Sequence, residues 1–149
     1  MTPAKLVLDS DLFLKHVAQE GSVERPSLLR ILLGTGFCYT TVFQVVEMFS
    51  YCATGREVKV IEDALSGVKI LGLNARTGKN IGAIARRAPD TIGDLELLAA
   101  GLCVESRLPL VTGRSRRYRG IRGLRLIPTR PLERMRGEAG VREMLARFR

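Results

Sequence analysis

The chain has one histidine, three cysteines, and no apolar run near the roughly 20 residues needed to cross a bilayer. With only His16, histidine-rich metal sites are excluded, and a lone histidine on an early helix is read as structural. Cys38, Cys52 and Cys103 are odd in number, lie in apolar surroundings and show no CxxC spacing. They are expected to be buried thiols in a reducing compartment, not disulfides or zinc ligands. The first residues carry a strand and acids instead of a basic stretch followed by a long apolar one, so no secretory signal is expected and the location is expected to be cytoplasmic. No internal repeat or low-complexity segment stands out. At 149 residues, nearly half of them apolar, the chain can bury a core of its own.

A second shortage is local. No acid occurs between Glu105 and Glu133. Residues 1–106 hold 11 Lys and Arg against 12 Asp and Glu, whereas residues 107–149 hold 13 Arg against three Glu. The whole net charge of +9 therefore resides in the last part of the chain, and every base there is arginine. Arginine offers planar, bidentate contacts to phosphate, which points to a nucleic-acid partner. A solvated basic face, or a surface for an acidic protein, is the competing explanation.

What is present is an alternation of strands and helices. Leu6-Val7-Leu8 is an unalternating apolar run, suited to a strand buried on both faces. It ends in Asp9-Ser10-Asp11, residues that favour helix starts, and a helix is expected over residues 10–18. After a break at Gly21-Ser22, further helices are expected near 26–33, from 42, over 56–66, 74–87 and 94–106, with strands near 37–40, 68–71, 108–112 and 124–127. Residues 132–148 read as a terminal helix, and residues 129–149 as a basic helical tail to a domain spanning 1–128. Such alternation predicts a parallel sheet covered on both faces. Gly72–Lys79 has one residue too many for a P-loop and lacks its Ser or Thr, and Gly34-Thr35-Gly36 precedes a strand, so neither is a phosphate-binding fingerprint.

Three acids stand out against this frame. Asp9 follows the first strand, where open α/β sheets place their ligands. Glu47 is the only charged residue between Arg30 and Arg56, set in FCYTTVFQVVEMFSYC. A carboxylate in such surroundings is costly unless it is paired or holds a cation, and an internal salt bridge is the alternative. Asp94 opens the segment DLELLAAGLCVES, where it also suits a helix start. Hard cations such as Mg²⁺ take oxygen ligands, often one or two carboxylates with water and substrate phosphate. Three acids from separate elements meet that need without histidine.

LVLDSDLFL, the Glu47 helix, TIGDLELLAAGLCVESRLPLVTG and the trailing GLRLI resemble a PIN domain, particularly the short VapC-type toxins, over residues 4–127. The resemblance implies a three-layer α/β/α sandwich with a four- to five-stranded parallel sheet. It also implies single-stranded RNA cleavage dependent on Mg²⁺ or Mn²⁺, a cognate antitoxin protein, and a homodimer. By motif position Asp9, Glu47 and Asp94 match family acids that bind the metal and carry catalysis. Asp11 stands where an Asn is frequent, and Thr112 matches the residue ending the fourth strand. Ser10, Asp11 and Thr112 would contact phosphate or support the acids, and Ser115 is the neutral oxygen nearest the site. Arg114, Arg116, Arg117 and Arg119 would grip the RNA backbone, with Tyr118 a stacking surface or part of the core. One departure matters: Arg114 falls where the family usually has Asn or Asp. A degenerate PIN-fold module that binds RNA or a partner protein without cleaving is therefore the alternative.

Overall fold

Leu6, Val7 and Leu8 set the layering, because successive side chains of a strand face opposite ways. In the computed structural model, which describes residues 2–19, 25–135 and 137–148, Leu6 and Leu8 enter one apolar core and Val7 the other. The same alternation recurs at Cys38 and Tyr39, and at Val111 and Leu110. Both faces of the sheet are thus covered, and the architecture is a PIN-like α/β/α sandwich.

The strands are β1 (Lys5–Leu8), β2 (Phe37–Thr41), β3 (Lys69–Leu71), β4 (Leu110–Thr112) and β5 (Leu126–Pro128). They form one parallel sheet in the order β3-β2-β1-β4-β5. The chain winds outward from β1 to β3, then returns to the other side of β1. Between β1 and β4 the winding reverses, and at such a reversal the carboxyl ends of the strands open a crevice. Val7 lies opposite Leu110 and Leu8 opposite Val111, so Asp9 and Thr112 both emerge at that crevice.

Helices α1 (Ser10–Gln19), α2 (Leu28–Thr35) and α4 (Gly55–Leu65) cover one face, while α5 (Ala75–Ala85) and α6 (Asp94–Ser106) cover the other. Helix α3 (Val42–Ser50) starts directly from β2. Its start is held by a reciprocal cap: the Gln44 amide N–H donates to the Thr41 hydroxyl, and the Gln44 side-chain carbonyl accepts from the Thr41 N–H. Ser27, Thr54 and Asn74 cap α2, α4 and α5 in the same spirit. The break expected at Gly21-Ser22 lies outside the described residues.

The terminal helix expected over 132–148 is divided. Helix α7 (Thr129–Glu133) ends early, and α8 (Gly137–Leu145) restarts at Gly137, whose φ of 78° lies in the left-handed region that interrupts a right-handed helix. Leu132, Val141 and Leu145 are buried in the same core as Leu6, Leu29 and Leu32. Residues 129–148 thus complete the apolar layer over α2 wherever they are described.

Candidate functional site

Asp9 is fixed before any partner is considered. Its backbone N–H donates to the Val111 carbonyl at 3.0 Å, extending the pairing of β1 with β4 by one residue. Its carboxylate is fully buried. Oδ1 accepts from the Ser10 N–H at 2.8 Å and from the Gln44 amide at 3.2 Å, while Oδ2 accepts from the Thr112 hydroxyl at 2.7 Å. Gln44 therefore does two jobs, capping α3 and steadying Asp9. Sequence analysis did not single out Gln44; the capping-box spacing Thr41–Gln44 was the signal available.

Glu47 lies one turn further along α3 and is buried. Its Oε1 accepts from the Ser10 hydroxyl at 2.8 Å, and that hydroxyl also lies 3.4 Å from Asp9 Oδ1. Asp9 and Glu47 thus come together across Ser10. What lies between them is Arg114. Its Nη1 donates to Glu47 Oε1 at 2.8 Å, and its Nη2 donates to Asp9 Oδ1 at 3.0 Å and to the Ser10 hydroxyl at 2.8 Å. Sequence analysis assigned Arg114 to the RNA backbone; the structure instead turns it inward onto the acids. The cause is electrostatic. Two buried carboxylates side by side repel unless a cation joins them, and a planar guanidinium can serve both at once.

The turn that carries Arg114 is tethered to the same group. The Arg114 N–H donates to the Thr112 hydroxyl at 2.9 Å, and the Gly113 N–H donates to Asp11 Oδ2 at 2.9 Å. Burial works against the Arg114 charge, yet Asp9 and Glu47 outweigh it, so the guanidinium holds its proton more firmly than a free arginine. Asp11 is pushed above the ordinary carboxylate range by burial and by the neighbouring Asp9 charge, and its Oδ1 is buried without a hydrogen-bond partner. Tyr118 ends the 3-10 turn Ser115–Tyr118 and is buried, so it is core and not a stacking surface. Burial, then Asp9, drive its hydroxyl far above the usual phenol range.

Asp94 differs from Asp9 and Glu47 in its surroundings. It is the first residue of α6, behind the N-cap Gly93, and it is exposed. Among the described residues, no three His, Cys, Asp or Glu side chains come together to hold a metal ion. Arg117 reaches Glu96 at 3.4 Å, while Arg116 and Arg119 are exposed and Ser115 is half-buried. A divalent ion does not fit the arrangement as it stands, because the guanidinium takes the position between Asp9 and Glu47.

No family model and no curated protein matches the chain by sequence. Solved structures do match. VapBC2 from Rickettsia felis, bound to a DNA fragment from its promoter, aligns with a TM-score of 0.68 at 16% identity, over 83% of this chain and 98% of the matched one. DNA-bound VapBC from Salmonella typhimurium aligns with a TM-score of 0.68 at 21% identity, over 84% and 98%. VapBC-5 from Mycobacterium tuberculosis aligns with a TM-score of 0.58 at 17% identity, over 85% and 99%. The last of these is a member of the VapBC family of toxin-antitoxin systems. At such identities the likeness establishes a shared fold.

Proposed function

We propose that this chain is the RNA-cleaving toxin of a toxin–antitoxin pair, with Asp9 and Glu47 as its catalytic carboxylates. The observation that carries the proposal is their position. Two buried carboxylates share one hydroxyl, Ser10, at the reversal point of a parallel sheet, where the strand ends open to ligand. Such groups are retained at a cost in stability, which a functional site explains better than packing does.

In this reading Arg116, Arg117 and Arg119 attract the phosphodiester backbone, and Ser10 and Thr112 hold the two carboxylates in place. Asp94, exposed at the start of α6, would join only from the rim. Mg²⁺ or Mn²⁺ is the cofactor the reading calls for; with Arg114 in place the site does not admit it. The fold shared with toxins solved in complexes supports an antitoxin protein as partner. A homodimer in the cytoplasm belongs to the same proposal. Among the described residues no helix is long and apolar enough to cross a membrane.

The test is cleavage of mixed single-stranded RNA with Mg²⁺, with Mn²⁺, and with EDTA. The expected result is metal-dependent cleavage that Glu47→Gln abolishes while the fold persists. Arg114 favours a second reading, a PIN-fold module that binds RNA or a partner protein without cleaving. RNA retention with no cleavage under any metal would select it.

A further inference from the structure

We infer that Arg114 is a resident counter-ion that closes the Asp9–Glu47 pair to divalent cations in the RNA-free protein. The inference rests on the proposed function for the identity of the site and adds how that site is regulated. Three observations carry it.

First, the oxygens at the meeting point are already committed. Asp9 Oδ1 accepts from the Ser10 N–H, the Gln44 amide and Arg114 Nη2, all within 3.2 Å. Glu47 Oε1 accepts from the Ser10 hydroxyl and Arg114 Nη1, both at 2.8 Å. A carboxylate oxygen offers about two lone-pair directions, so neither can also ligate a metal while the guanidinium stays. Of these donors Arg114 has the longest side chain, and it sits in the turn after β4, outside any helix or strand, so its departure unwinds no element.

Second, Arg114 is aimed from its backbone. Thr112, at the end of β4, donates to Asp9 Oδ2 and accepts from the Arg114 N–H through the same hydroxyl. Asp9 thereby positions both ends of the residue that neutralises it. Arg116 and Arg119 nearby are exposed, whereas Arg114 is only part-exposed.

Third, the closure is incomplete. Arg114 Nε is buried without a hydrogen-bond partner, although the guanidinium is an all-donor group that matches phosphate in a bidentate manner. A phosphodiester oxygen would satisfy the fork with competing charge and take Arg114 off the acids. An unsatisfied donor lowers the cost of that exchange.

The experiment is titration of Mn²⁺ alone, by calorimetry and by the free-ion electron paramagnetic resonance signal, into four RNA-free proteins. These are the parent, Arg114→Ser, Arg114→Gln, and Arg114→Ser combined with Glu47→Gln. The expected result is that Arg114→Ser and Arg114→Gln each bind one Mn²⁺ at least tenfold more tightly than the parent, and that adding Glu47→Gln removes the gain. If Arg114→Ser does not fold, Arg114→Gln, which keeps the side chain's length, carries the comparison. Equal affinity in the parent and the variants overturns the inference, and so does a failure of the variants to bind. Because the readout is ion binding and not cleavage, a protein that gains a metal site yet cuts no RNA would overturn the proposed activity and leave the counter-ion role standing.

Discussion

Replacing Arg114 by Met keeps a long apolar stem and removes the guanidinium bonded to Asp9 and Glu47, whose side chains are 0% and 11% exposed. Removing one partner of a buried ion pair costs about 3–5 kcal/mol, because the remaining charge is left desolvated. Arg114 is itself 18% exposed, so water can reach the vacated position, which brings the expectation down to about 2–3 kcal/mol. At about 2–4 °C per kcal/mol for a chain of this size, Tm should fall by about 4–12 °C. A double-mutant cycle with Glu47→Gln isolates the pair. The combined variant should lose less than the sum of the single losses, with a coupling of about 1–2 kcal/mol. Urea unfolding followed by circular dichroism, at pH 7 and low salt with EDTA present, measures all four corners. An Arg114→Met protein as stable as the parent would refute the reasoning, since the acids would then need no counter-charge.

Other expectations follow from the same geometry. A Cβ at Gly36 would lie 2.8 Å from the Ala4 carbonyl oxygen, which belongs to backbone and cannot turn aside; Gly36→Ala should cost about 1–3 kcal/mol, read as a lower urea midpoint. Burial pushes the Cys38 and Cys103 thiols up to about 12 from 9.0. At pH 8 iodoacetamide should therefore modify Cys52 first, with all three thiols reacting only after denaturation, as mass spectrometry would show. Since both folded values are raised, the stability linked to these thiols is intact below pH 9 and is lost as pH rises through 9 to about 12. Asp11 is also raised, by burial first and Asp9 second, so its ionisation opposes folding at neutral pH. Asp11→Asn, which retains an acceptor for the Gly113 N–H, should raise Tm at pH 7, and the parent should draw level as pH falls below the usual carboxylate range. An equal Tm at both pH values would refute that assignment.

Much of the frame was legible along the chain because it depends on neighbours in sequence. The run Leu6-Val7-Leu8 marks a strand buried on both faces, Asp9 marks its carboxyl end, and the isolation of Glu47 marks a charge that must be compensated. Alternating strands and helices sufficed for a parallel sandwich, since parallel strands need crossover connections. Residues 132–148 carry the pattern of one terminal helix, but the left-handed backbone at Gly137, which divides it into α7 and α8, became visible only in the fold. Tertiary structure also decided what compensates Glu47. Sequence placed Arg114 near the site but aimed it at the RNA backbone, because a side chain with four rotatable bonds follows whichever charge its turn presents to it. That direction is set by the Thr112 hydroxyl between Asp9 and the Arg114 backbone, a contact linking residues 103 positions apart. For the same reason Asp94, placed correctly at the start of α6, turned out exposed: a helix start is a local property, whereas burial depends on how α6 packs across the sheet.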